Sequence, residues 1–165
     1  LAGNADSSAN LRRATGAAGV DPSRLVFQPK LPHDEYLTLY RHADLFLDTW
    51  PYGAHTTASD ALWAGCPVLT LPGRTFASRV AASLLTTLGL GELISASADD
   101  YVARAIALAT DGAASQALRA RLAQARATSG LFDMAAFARA FEQAVVGMVE
   151  RQRSGAMPAD FDIKP

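Results

Sequence analysis

From residue 24 to residue 95, short apolar runs alternate with amphipathic stretches, and few folds accommodate that alternation. Arg24-Leu25-Val26-Phe27, Asp44 to Asp48, Pro67 to Leu71 and Glu92 to Ser95 each read as a strand. Between them, His33-Asp34-Glu35 opens a helix whose Tyr36, Leu37, Tyr40 and Ala43 keep i, i+3/i+4 spacing. Thr57 to Ala64 predicts a short helix stopped by Gly65, with Leu62 and Trp63 assigned to the core. Thr75 to Leu88 predicts another, with Phe76, Val80, Leu84 and Leu88 on one face and Gly89 as its stop. Strands this short and apolar, separated by helices, indicate βαβ units: an α/β fold with a Rossmann-like parallel sheet and helices on both faces. Right-handed crossovers then gather the strand-to-helix loops on one edge, where open α/β sheets hold their ligands.

Beyond Ala98 the pattern becomes helical only. Tyr101 to Ala109 and Ala114 to Ala127 predict helices, Gly130 interrupts, and Met134, Phe137, Phe141, Val145 and Met148 keep helical spacing to about Arg153. Residues 154–165 have no period and read as a tail. A net charge of −1 supplies no field for nucleic acid or an anionic membrane. The single cysteine, Cys66, has no partner for an internal disulfide, and no Cys/His spacing matches a zinc site. A cytoplasmic setting is the default expectation. A chain opening on Leu1-Ala2-Gly3 without an initiator Met is expected to belong to a longer one.

On the ligand edge, the segment PYGAHTTASDALWAG (51–65) carries the chemistry. Thr57 followed by Asp60 fits a capping box, which would leave an ordinary capped helix. With the cap at His55 or Thr56 instead, free backbone N–H groups and a hydroxyl point into the loop, the arrangement by which helix N-termini bind phosphate. His55 is open to titration, to donation toward a ligand oxygen, or to a plain turn role. Asp60 either holds a ribose hydroxyl or complements the helix dipole. In the preceding loop, the backbone of Leu31, His33 and Tyr36 lie on the same edge, and an aromatic ring there either stacks on a base or packs on the sheet. Neither a P-loop nor a dinucleotide glycine pattern is present, nor a Ser-His-Asp spacing or a paired-carboxylate frame.

HTTASDALWAG (55–65) with CPVLTLPGRTFASRVAASLL (66–85) resembles the catalytic lobe of the protein O-GlcNAc transferases, close to the bacterial members. The likeness runs from RLVFQPKLP (24–32) through HADLFLDTWPYGAHTT (42–57) to GLFDMAAF (130–137). It implies the C-terminal lobe of a GT-B glycosyltransferase over residues 1–153, incomplete at its N-terminal end, with 134–153 as a long helix crossing back to the first lobe. The implied reaction is inverting, metal-independent and without a cofactor: GlcNAc moves from UDP-GlcNAc to Ser or Thr hydroxyls of proteins. His55, Thr56 and Thr57 then lie against sugar and diphosphate, Asp60 near the ribose, and the Leu31 backbone against uracil. His33 stands where animal enzymes have a Lys at the ribose, and Tyr36 where they stack a His on uracil. The family Arg near uracil aligns with Leu39, with Arg41 as its candidate replacement.

The resemblance also puts the diphosphate-contacting Lys and the acceptor-activating residues upstream of Leu1. This segment therefore has no assigned general base and is expected to be inactive alone. The implied partners are UDP-GlcNAc, an acceptor protein or peptide, the upstream lobe and tetratricopeptide repeats of the same chain, with no nucleic acid and no membrane. Two other readings remain: a SPINDLY-type transferase using GDP-fucose, and an inactive transferase-like scaffold. His55 and the Ala77–Ala82 run favour UDP-GlcNAc over the first, and the intact hinge, Gly53-Ala54-His55-Thr56-Thr57, counts against the second.

Overall fold

A computed structural model of the chain describes residues 5–163. The chain divides into two compact units, residues 1–39 and 40–165, and each is described separately. In the first, helix α1 (Ala5–Ala17) ends in a turn where Gly19 takes a positive φ of 79° and the Val20 N–H donates to the Thr15 carbonyl at 3.1 Å. The Asp21 side chain caps a 3₁₀ turn, Pro22–Arg24, by accepting from the Ser23 N–H. Arg12 donates to the Pro22 carbonyl at 2.7 Å and lies over the Phe27 ring, 5.0 Å from its centroid. Helix α2 (His33–Leu39) begins where the acidic first turn predicts, with Asp34 and Glu35 at the positive end of its dipole.

The strand expected at Arg24–Phe27 does not form. Leu25 has extended dihedrals, φ −81° and ψ 108°, but the described residues of this unit contain no second strand to complete a ladder. An extended run becomes a strand only when a neighbour satisfies its N–H and C=O groups.

The second unit carries the parallel sheet. Strand β1 (Phe46–Leu47) pairs with β2 (Val68–Leu69), Phe46 opposite Val68 and Leu47 opposite Leu69. A further parallel bridge joins Thr70 to Ile94, so the run expected as a strand at Glu92–Ser95 is a 3₁₀ turn, Gly91–Leu93, followed by a single ladder residue. Helix α3 (Thr56–Trp63) links β1 to β2, and α4 (Val80–Thr87) follows β2. Both stop where expected: Gly65 and Gly89 have φ of 86° and 68°, a left-handed conformation that glycine adopts without a Cβ penalty. Leu62, Leu69, Leu85, Leu90, Leu93 and Leu122 are fully buried or nearly so and form the core. Cys66 is buried beside them, and desolvation pushes its thiol up to about 11.

Two core assignments are corrected. Trp63 is 50 % exposed, its ring edge-on to Phe132 at 5.2 Å and covered by the Arg126 guanidinium at 5.1 Å. Phe76 is 80 % exposed in a 3₁₀ turn, Phe76–Ser78, that precedes α4, so the buried face of the helix runs through Ala81 and Leu85 to Leu88. The remaining helices are α5 (Ala98–Thr110), α6 (Gly112–Thr128) and α7 (Met134–Arg153). Ser97, Asp111 and Asp133 cap them, each side chain accepting from an amide in the first turn. No residue of α7 is buried, and its Met134, Phe137, Phe141 and Met148 are all exposed. Among the described residues, no helix is long and apolar enough to cross a membrane.

Candidate functional site

The loop from Asp48 to His55 leaves the carboxyl end of β1 and delivers the chain to the N-terminus of α3. Of the three caps the sequence allows, His55, Thr56 and Thr57, the structure takes His55, with φ −110° and ψ −92° and no side-chain capping bond. The first intrahelical amide bond is Ser59 N–H to the His55 carbonyl, 3.1 Å. The N–H groups of Thr56, Thr57 and Ala58 therefore have no partner among the described residues, and the side chains of Thr56 and Thr57 are exposed. Thr57 does not close a capping box with Asp60. Asp60 is half-buried one turn into α3, on the same face as Thr56 and Thr57, with no ion-pair or hydrogen-bond partner among the described residues.

His55 is held rather than loose. Its ring stacks on Tyr52, centroids 5.4 Å apart and planes 15° apart, and meets Phe76 edge-on at 5.7 Å. Nε2 lies 3.2 Å from the Ala77 carbonyl oxygen. A carbonyl only accepts, so Nε2 carries a proton and donates, which in the neutral ring leaves Nδ1 as an acceptor. The same carbonyl accepts from the Gly53 N–H at 2.9 Å. One oxygen from the segment after β2 thus pins two points of the loop after β1.

Asp48, at the end of β1, supplies a second anchor, outside the 51–65 motif. It is 7 % exposed; one carboxylate oxygen accepts from the Ala54 N–H at 2.6 Å and the other from the Thr70 hydroxyl at 2.6 Å. Its backbone N–H donates to the Leu69 carbonyl at 3.0 Å, and its own carbonyl accepts from the Tyr101 hydroxyl of α5 at 2.9 Å. Burial, and then the Asp48 charge, raise the Tyr101 phenol above its usual range. Gly53 packs against this carboxylate: a Cβ there would stand 3.1 Å from an Asp48 oxygen and 3.2 Å from the Ala77 carbonyl. The available signal was positional, a carboxylate at the carboxyl end of an apolar strand on the ligand edge. Tyr40, which the spacing places on a helix face, also reaches this turn: its hydroxyl donates to the Thr57 carbonyl at 3.3 Å.

Leu31, His33 and Tyr36 belong to the first unit. Leu31 lies in the irregular stretch before α2, and His33 is the first residue of that helix. The Tyr36 N–H donates to the Pro32 carbonyl at 2.9 Å, and its ring lies tilted at 35° to that of His33, centroids 6.2 Å apart. Arg41 sits in the 3₁₀ turn Tyr40–His42 at the start of the second unit. A cavity of about 380 Å³ in the second unit is lined by Asp44, Leu45, Leu108, Gln116 and Arg119 among others, and contains none of the hinge residues.

The sequence pattern described as glycosyl transferase family 41 matches residues 2–141. The chain belongs to glycosyltransferase family 41. Among its relatives, a UDP-N-acetylglucosamine–peptide N-acetylglucosaminyltransferase of Caenorhabditis elegans is 38 % identical over 151 residues, covering 92 % of this chain and 13 % of the relative. A probable enzyme of the same description, SPINDLY of Oryza sativa subsp. japonica, is 38 % identical over 143 residues, covering 86 % of this chain and 15 % of the relative. A solved O-GlcNAc transferase of Thermobaculum terrenum, a point mutant, superposes with a TM-score of 0.80 at 34 % identity, over 86 % of this chain and 27 % of that one. The family 41 chain therefore spans a small part of the proteins it matches. That structural match bears out the α/β, GT-B fold class expected from the alternating pattern and the hinge motif.

Proposed function

We propose that this family 41 chain is the donor-binding part of a protein O-GlcNAc transferase, taking the UDP moiety of UDP-GlcNAc at the N-terminus of α3. The observation that carries the reading is the uncapped first turn of α3, where amides from Thr56 to Ala58 and two exposed threonine hydroxyls converge beside a fixed His55. In the transfer, an acceptor Ser or Thr oxygen bonds to the anomeric carbon as the bond from that carbon to UDP breaks, and the configuration inverts. Negative charge grows on the leaving diphosphate, and preorganised N–H and O–H donors stabilise it, each worth roughly 3–4 kcal/mol in a dry site. His55 offers Nδ1 as an acceptor toward a donor group of the sugar. Asp60 takes the ribose hydroxyls, and Leu31, His33 and Tyr36 belong to the base and ribose end of the same reading. The acceptor proton leaves to a base that no residue of this chain is assigned.

The remainder of the enzyme, an upstream lobe and tetratricopeptide repeats, belongs to this reading, as do a cytoplasmic setting and the assignment of 134–153 as the helix that crosses to that lobe. The exposed apolar residues of α7 support it, since a helix that spends its apolar face on solvent alone gains little from packing. Calorimetric titration of UDP and GDP, side by side, into this chain and its His55→Ala and Asp60→Ala variants tests the reading. UDP binding that exceeds GDP binding and weakens in both variants is expected. A GDP preference would move the chain to the fucosyl donor, and no binding of either nucleotide would favour the scaffold.

A further inference from the structure

Thr56, Thr57 and His55 can only present donors in fixed directions if the loop before them has a single conformation. Yet residues 49–54 form no regular element. Two acceptors hold that loop: the buried Asp48 carboxylate, through Ala54, and the half-buried Ala77 carbonyl, through Gly53 and His55. Of these the carboxylate is the unusual one. A buried ionised group is unfavourable unless its lone pairs are satisfied. Here no cationic side chain faces it among the described residues; an amide N–H and a hydroxyl, each at 2.6 Å, take its two oxygens instead. Charge-assisted bonds of this kind are short, directional and roughly twice as strong as neutral ones.

We infer that Asp48 is the positioning residue of the hinge, and that Thr70 positions Asp48: the pair sets the direction of the chain at Ala54 and so aims His55 and the free amides of α3. Thr70 is itself fully buried, at the end of β2, and its N–H donates to the Leu93 carbonyl at 3.1 Å, so its hydroxyl is fixed by the sheet. Tyr101 and the Leu69 carbonyl fix the Asp48 backbone from two further sides. The carboxylate thereby transmits the geometry of the sheet into a loop that has none of its own. Both side chains act through Ala54. This inference rests on the donor-site reading for its consequence, though not for its geometry.

The test uses the whole chain with Asp48→Asn, Thr70→Val and Thr70→Ser, reading amide hydrogen exchange by NMR and UDP affinity by calorimetry. Thr70→Val keeps the shape of Thr70 and removes the hydroxyl; Thr70→Ser restores it. The expected result is an Ala54 amide that exchanges about tenfold faster in Asp48→Asn and Thr70→Val, with the ladder amides of Phe46 and Asp48 unchanged, and UDP binding about tenfold weaker, the scale of one lost charge-assisted hydrogen bond. Thr70→Ser is expected to recover both. Unchanged Ala54 exchange in Thr70→Val would overturn the inference, as would a loosened loop that binds UDP as tightly as before. Should Asp48→Asn fail to fold, the Thr70 pair decides. If the wild-type chain binds no UDP, the donor-site reading falls, and the exchange comparison alone decides whether Asp48 positions the loop.

Discussion

Helices α3 and α7 carry comparable apolar periodicity, and the molecule treats them in opposite ways. Ala58, Ala61 and Leu62 of α3 are completely buried, and α3 packs against β2, α4 and α6. Helix α7, more than twice as long at 20 residues against 8, has no fully buried residue; Phe137 and Phe141 stack on each other at 6.2 Å with 61 % and 60 % of their surface exposed. The contrast teaches that a hydrophobic stripe specifies which face of a helix seeks cover, while the cover itself comes from elsewhere in sequence. For the short helix it is supplied by the strand that follows, β2, by α4 and by the more distant α6. An eight-residue helix is marginal alone and exists because of that packing.

Core truncation should mark the buried side of the comparison most strongly. Leu69→Ala removes a fully buried side chain from β2 beside α3 and is expected to lower unfolding free energy by about 3–5 kcal/mol, measured by chemical denaturation. Gly53→Ala comes next. Its new Cβ meets the Asp48 carboxylate and the Ala77 carbonyl, neither free to move, so a loss of about 1–3 kcal/mol is expected by thermal melting, together with changed amide shifts at His55 and Thr56. Arg126→Ala strips the guanidinium from Trp63 on the half-exposed end of α3; about 0.5–2 kcal/mol is the expected loss, and a red shift of Trp63 emission on added solvent contact is the optical readout. Phe141→Ser on α7 should change stability by less than about 0.5 kcal/mol while reducing binding of a hydrophobic dye. A loss comparable to that of Leu69→Ala would erase the contrast between the two helices.

Local rules made part of this legible. The bounds of α7, Met134–Arg153, follow from its spacing and from Asp133 as cap, and Gly65 and Gly89 stop their helices because only glycine enters that conformation freely. The hinge is visible as a choice among three caps, and the choice turns on a loop conformation that spacing does not encode. Arg24–Phe27 looked like a strand because composition reports the capacity to extend, whereas a ladder needs a partner. Helix α1, rich in Ala, Ser and Arg with little apolar contrast, carried no period to read. Asp48 resembled any polar residue at a strand end; its role lies in Thr70 and Ala54, and the first of these is distant in sequence. Trp63 looks like a core residue by its size, though a ring that large is seldom fully enclosed; Phe76 fits the helical spacing of Val80, Leu84 and Leu88 but falls in the 3₁₀ turn before their helix.

The buried thiol of Cys66 has a practical side. With its ionisation pushed up to about 11 and its sulfur enclosed, the one cysteine of the chain is expected to react only slowly with alkylating reagents at neutral pH. The native chain is therefore already a blank background for site-directed labelling. A cysteine introduced at exposed Thr49, in the loop that Asp48 anchors, would take a fluorophore or spin label alone, and hinge motion could then be followed without first engineering a cysteine-free protein.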